Sequence, residues 1–155
     1  MSETPSFDPM QMTGLEIMRA FVGLAELPDP PPSIGRLLGM RIVTADEGSV
    51  TFTCPTKADF ANPMGTTHGG ICATMLDSAM GCAVHTTLGP GDSYATLELS
   101  VNYVRGVPID GVVLTATGST IHVGRRSATA EGRVVDDRGR LVAHGTTTCM
   151  ITRAG

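Results

Sequence analysis

Residues 62–91 read NPMGTTHGGICATMLDSAMGCAVHTTLGPG, a stretch with no Lys, Arg or Glu and a single acidic side chain, Asp77. From Gly69 to about Thr86 it is long enough for roughly five helical turns. At about 100° per residue, Ile71, Cys72, Met75, Leu76, Ala79, Cys82 and Ala83 share one face. The other face gathers Gly70, Ala73, Thr74, Asp77, Met80, Gly81 and Val84, where a surface helix would carry Lys and Glu. A helix without a solvated face is covered on both sides, which predicts a sheet around one side and a second body against the other. Asp77 lies on that second, small-residue face. An ionised carboxylate there is costly unless it is hydrogen-bonded or paired, so it is a candidate functional group as well as a candidate structural one.

The flanking sequence supplies the sheet. In YATLELSVNYV, Thr96, Glu98, Ser100 and Asn102 alternate with Ala95, Leu97, Leu99, Val101 and Tyr103, the period of a half-buried antiparallel strand. GVVLTATGSTIHV, RSATAEGRVV and LVAHGTTTCMIT read as further strands, the last two joined by the hairpin signal Asp136-Asp137-Arg138-Gly139. Upstream, MRIVTADEGSVTFTCP reads as two strands turning at Asp46-Glu47-Gly48. Thr13 and Glu16 have capping-box spacing and open a helix near 13–26, which PDPPP at 28–32 ends because proline lacks an N–H and disfavours helix before it. SIGRLLG adds one helical turn. The predicted class is α+β: a long central helix wrapped by a curved antiparallel sheet. Residues 1–37 form an N-terminal helical extension and residues 38–155 the main domain.

Composition narrows the function classes. The 155 residues suit one domain with a real core. A net charge of −4 and the lack of a basic, aromatic-interleaved run argue against a nucleic-acid partner. The N-terminus has neither a basic n-region nor an apolar h-region, and no apolar run reaches the roughly 18 residues of a membrane span. A cytoplasmic protein is expected, with no membrane association. Cys54, Cys72, Cys82 and Cys149 show no metal spacing and are expected to be free thiols. No metal or dinucleotide fingerprint is present.

At the start of the predicted helix, Gly69 and Gly70 let unsatisfied N–H groups meet an oxyanion without an intervening side chain. Asn62 and His68 add side-chain donors upstream. NPMGTTHGG followed eight residues later by Asp77, together with ATLELSVNYVRG and HVGRRSATAEGRVVDDRGRLVAHGTTT, resembles the hotdog-fold acyl-CoA thioesterases of the phenylacetic-acid-degradation type, akin to hydroxybenzoyl-CoA thioesterases. The resemblance covers about residues 38–152 and implies a hotdog fold and hydrolysis of an acyl-CoA to free acid and CoA. It implies that Asp77 attacks the thioester carbonyl or activates a water to do so. The Gly69 N–H would bind the oxyanion, Asn62 would position thioester or water, and Thr96 would orient the water or Asp77. His68 either polarises the carbonyl or braces the helix entry; His85 is expected to be structural.

The resemblance also places the coenzyme A nucleotide against Val123, Gly124, Arg125, Arg126 and Ser127, where guanidinium groups suit phosphates, with Arg105 as a further candidate. No separate cofactor is implied, since coenzyme A is part of the substrate. Two other functions stay open: a non-catalytic acyl-CoA sensor or scaffold, and a hotdog dehydratase or hydratase. The former would have little reason to keep a carboxylate opposite an oxyanion hole. Relatives of the latter kind use a His with an Asp or Glu in an arrangement not evident here.

One consequence follows from helix geometry. Gly69 and Asp77 are eight residues apart, about 12 Å at 1.5 Å per residue, so one thioester carbon cannot meet both in one chain. A homodimer with two central helices antiparallel across a two-fold axis would bring Gly69 of one chain near Asp77 of the other. Shared active sites are therefore expected, with dimers pairing into homotetramers as relatives do.

Overall fold

The computed structural model describes residues 8–24 and 31–155. In chain order the elements are α1 (Gly14–Leu24), α2 (Ile34–Leu38), β1 (Arg41–Asp46), β2 (Ser49–Pro55), a 3-10 turn (Ala58–Phe60), α3 (Gly69–His85), β3 (Ser93–Tyr103), β4 (Val113–Val123), β5 (Ser127–Val135) and β6 (Leu141–Thr152). The six strands form one antiparallel sheet in the order β1-β2-β4-β5-β6-β3, and α3 lies in its concave face.

The local signals act as their chemistry requires. Thr13 and Glu16 form a reciprocal capping box. The Glu16 carboxylate accepts the Thr13 N–H at 2.8 Å, and the Thr13 hydroxyl accepts the Glu16 N–H at 3.3 Å. Helix α1 is not detached: Ile17 and Met18 are buried, and the Gly14 N–H donates to the Leu88 carbonyl just beyond α3. The expected end of α1 near residue 26 and most of PDPPP lie outside the described residues. Ser33 caps α2 and Gly39 closes it in the left-handed region. The β1–β2 turn falls at Glu47–Gly48, and the Gly48 N–H donates to the Thr86 hydroxyl at 2.7 Å, tying the hairpin to the end of α3.

The helix sits close against the sheet because two glycines, Gly118 and Gly132, are register partners across β4 and β5 and lie directly beneath it, while Gly145, next in register on β6, leaves room instead for the Ser100 carbonyl of β3. A Cβ on Gly118 would stand 2.4 Å from the Ala79 carbonyl carbon and oxygen. One on Gly132 would stand 2.9 Å from Met80 Cγ. That seating corrects part of the helical-wheel expectation. Met80 and Val84, assigned to the outer face, are fully buried inside the chain, and Gly81 is covered by the Tyr94 ring. The sheet curls far enough around α3 to cover more than half its circumference. The half-covered strip that remains holds Gly70, Ala73, Thr74, Asp77 and Ser78 together with Ile71 and Cys82, which the helical wheel places on the core face.

The second correction concerns β3. Its alternation predicted Ala95, Leu97, Leu99, Val101 and Tyr103 on one face, but the β3–β6 register slips between Thr96 and Glu98. Leu97 is the extra residue of a β-bulge and is 63% exposed. The bulge swaps the faces, so Tyr94 and Thr96 look inward with Leu99, Val101 and Tyr103.

Candidate active site

The loop before α3 is held by its own side chains. Asn62 Oδ1 accepts the Met64 and Thr66 N–H groups at 3.0 and 3.1 Å, and Asn62 Nδ2 donates to the Thr66 hydroxyl at 2.9 Å. The loop is anchored by the Thr67 hydroxyl, which donates to the Pro108 carbonyl at 2.8 Å, and by the His68 N–H, which donates to the Phe60 carbonyl at 2.7 Å. His68 is the N-cap of α3, and its Nδ1 accepts the Gly70 N–H at 2.9 Å. The imidazole thus braces the helix entry through Nδ1. It leaves one donor free at the helix start: among the described residues, no protein acceptor meets the Gly69 N–H.

Gly69 opens into a cleft of about 400 Å³ whose wall includes Asn62, Cys72, Tyr103, Arg105 and Val107. The Tyr103 ring packs directly over Gly69, where a Cβ would meet its Cε1 at 2.9 Å. Any larger residue at 69 would push the ring aside. Tyr103, which the sequence placed only on a strand face, thus lines the cleft beside Gly69. Arg105 also belongs to this end, apart from the Arg125–Arg126 pair.

Asp77 sits in the middle of α3, half-buried, with the Thr96 hydroxyl donating to Oδ1 at 2.9 Å. The bulge in β3 produces this contact, since without it Thr96 would face the outer surface of the sheet. Around the pair the wall is neutral. Tyr94 rests on Gly81 and meets the His85 ring edge-on at 5.6 Å. Burial, then the neighbouring Cys82, Cys149 and Asp77, raise the Tyr94 phenol above its usual range. Burial pushes the Cys82 and Cys72 thiols up to about 11 and also raises Cys54 and Cys149. All four cysteines are free, and thiols so raised are poor nucleophiles at neutral pH. Burial lowers the His85 pKa, as for a structural, neutral imidazole.

The turn between β4 and β5 carries Gly124, Arg125 and Arg126, flanked by Val123 and Ser127. Thr96 pairs with Cys149, which pairs with Ala128, so this turn lies two strands from Thr96, roughly 10 Å at the usual strand spacing. Within one chain the candidate residues therefore fall into two separated groups. Asp77, Thr96 and the arginine turn share one end; Gly69, Asn62, His68 and Arg105 share the other. Among the described residues no three His, Cys, Asp or Glu side chains are grouped to hold a metal ion, and no helix is long and apolar enough to cross a membrane.

A family model described as the thioesterase superfamily matches residues 64–143, the span from the α3 entry loop into β6. A Pseudomonas aeruginosa protein provisionally named an esterase is 31% identical over 70% of this chain and 74% of its own. The 1,4-dihydroxy-2-naphthoyl-CoA hydrolase of Listeria monocytogenes is 22% identical over 68% of this chain and 84% of its own. A phenylacetic acid degradation-related protein from Ralstonia eutropha JMP134 superposes with a TM-score of 0.73 at 30% identity, covering 84% of this chain and 98% of that one. The PaaI protein of the E. coli phenylacetic acid degradation operon shares the fold with a TM-score of 0.75 at 21% identity, over 92% and 97% of the two chains. The helix wrapped by an antiparallel sheet is thus a hotdog fold.

Proposed function

The chain belongs to the thioesterase superfamily, and from that premise we propose that it hydrolyses an acyl-CoA thioester to the free acid and coenzyme A at a site shared by two subunits. The observation that carries this reading is the Thr96–Asp77 hydrogen bond. It is a carboxylate oriented by a hydroxyl, on the one strip of α3 that the sheet leaves half-covered. Asp77 either takes a proton from a water that attacks the thioester carbon or attacks that carbon itself, water then cleaving the anhydride. In both routes the carbonyl oxygen becomes an oxyanion, which the Gly69 N–H at the positive end of α3 stabilises. The C–S bond breaks and the coenzyme A thiolate leaves, taking up a proton.

Dimerisation completes the site. Among the described residues strand β3 pairs only with β6, which leaves its other edge for a second copy to join. A two-fold axis there would set Gly69, Asn62 and Tyr103 of one chain against Asp77, Thr96 and the arginine turn of its partner, and such dimers could pair again into tetramers. The phosphates of coenzyme A would meet Arg125 and Arg126.

The test mixes Asp77→Ala and Asn62→Ala, each inactive alone, by co-refolding in equal amounts. Half of the randomly formed dimers are mixed, and in each of these one site collects both lesions and the other neither. About a quarter of wild-type thiol release from an acyl-CoA should return. A mixture as inactive as its parents would show that each subunit carries a complete site and would overturn the shared-site reading.

A further inference from the structure

The arginine turn is held by a knot at the far end of the chain. All three turn carbonyls point inward: the Gly124 carbonyl accepts Arg153 Nη2 at 3.1 Å, the Arg125 carbonyl accepts Arg153 Nε at 3.3 Å, and the Arg126 carbonyl accepts the Ile151 N–H at 2.9 Å. Arg153 is itself fixed by Asp92, whose Oδ2 accepts Arg153 Nη1 at 2.7 Å. Asp92 in turn accepts the Ala154 N–H at 2.9 Å and the Gly89 N–H at 3.1 Å, and its side chain is only 11% exposed. One guanidinium thus joins the loop after α3, the C-terminal tail and the β4–β5 turn.

The polarity of the turn follows from this. With its carbonyls drawn inward, the consecutive N–H groups of Arg125 and Arg126 and both of their guanidinium groups meet no protein acceptor among the described residues. Unpaired backbone donors beside two guanidinium groups make an anion-facing surface. A lone exposed turn would hold that polarity weakly, whereas a three-point tether does not have to be ordered anew when a phosphate arrives.

We infer that Arg153, locked by Asp92, is a positioning residue that presents the Arg125–Arg126 turn to the phosphates of the coenzyme A nucleotide, without touching the nucleotide itself. This rests on the reading that the turn receives coenzyme A. The experiment compares the wild type with Arg153→Ala, Arg153→Lys, Asp92→Asn and Arg125→Ala/Arg126→Ala on one acyl group carried either by coenzyme A or by pantetheine. Arg153→Ala should raise KM for the acyl-CoA about tenfold and leave KM for the acyl-pantetheine and both kcat values within about twofold. Arg153→Lys keeps the charge but loses the fork, and should rise nearly as far; Asp92→Asn should follow it.

Added to Arg125→Ala/Arg126→Ala, Arg153→Ala should cost less than about twofold more, because it acts through those two residues. Trypsin cutting after Arg125 and Arg126, followed by mass, should be faster in Arg153→Ala. An unchanged acyl-CoA KM in Arg153→Ala, or a full additional loss in the combined variant, would overturn the positioning role. If Arg125→Ala/Arg126→Ala raises KM equally for both substrates or for neither, the coenzyme A reading of the turn is what fails.

Discussion

Replacing Gly118 by alanine tests how the sheet seats the central helix. The added Cβ would stand 2.4 Å from the Ala79 carbonyl carbon and oxygen and 2.5 Å from the Met80 nitrogen. Non-bonded carbons are comfortable from about 3.5 Å, so the shortfall is about 1 Å. The obstructing atoms are backbone in the middle of a 17-residue helix and cannot rotate aside, so α3 must move bodily. Overpacking of this kind costs about 1–3 kcal/mol, and a backbone obstruction belongs at about the top of that range. At roughly 2–4 °C per kcal/mol for a chain of this size, the melting temperature should fall by about 6–12 °C. Asp77 is one turn from Met80, and a displacement of about 1 Å from Thr96 is enough to break their hydrogen bond, so thiol release should fall as well. The measurement is thermal unfolding by circular dichroism beside Gly106→Ala, whose Cβ would meet nothing within 4 Å and which should melt at or slightly above the wild type. A Gly118→Ala protein melting within about 2 °C of wild type would refute close seating of α3.

Three further outcomes are expected. Asp77→Asn should lower kcat for acyl-CoA hydrolysis at least ~10²-fold with little change in KM, and an unimpaired kcat would remove Asp77 from the mechanism. Thr96→Val, which keeps the shape and loses the donor, should lower kcat about 10–100-fold while Thr96→Ser stays within a few-fold of wild type; equal rates for the two would mean that the hydroxyl does not orient Asp77. The Arg153 guanidinium first, then the Ala154 N–H, hold the Asp92 carboxyl below the usual carboxylate range. A depressed folded-state pKa contributes stability that is full above about pH 4 and lost as pH falls through the folded value. Asp92→Asn should therefore melt below wild type at about pH 6.5, with the gap closing on acidification; a gap unchanged at about pH 2.5 would contradict this.

Local rules carried a large part of the structure, because they act over a few residues. The capping box at Thr13 and Glu16, the turn at Gly48 and the α3 entry each need only neighbours along the chain to form. The uncharged run around Asp77 exposed the central helix, since no surface helix lacks charge on every side. The glycine pair at 69 and 70 marked where that helix begins, and the quoted motifs were enough to indicate the superfamily. The separation of Gly69 from Asp77 along the helix is likewise a matter of helical rise.

What folding alone decided were matters of register and distance. A β-bulge at Leu97 depends on how β3 pairs with β6, and nothing in an evenly alternating strand announces it; yet it turns Thr96 onto Asp77. The burial of Met80 and Val84 depends on how closely the sheet seats α3, and Gly118 and Gly132, which give that room, become neighbours only across two strands. His68 could have faced the substrate or the Gly70 N–H, and only the backbone path into α3 gave the N–H to its ring. Tyr103 over Gly69 and Arg153 under the arginine turn join residues 34 and 28 positions apart. Sequence spacing holds no trace of such pairs, because tertiary packing brings them together.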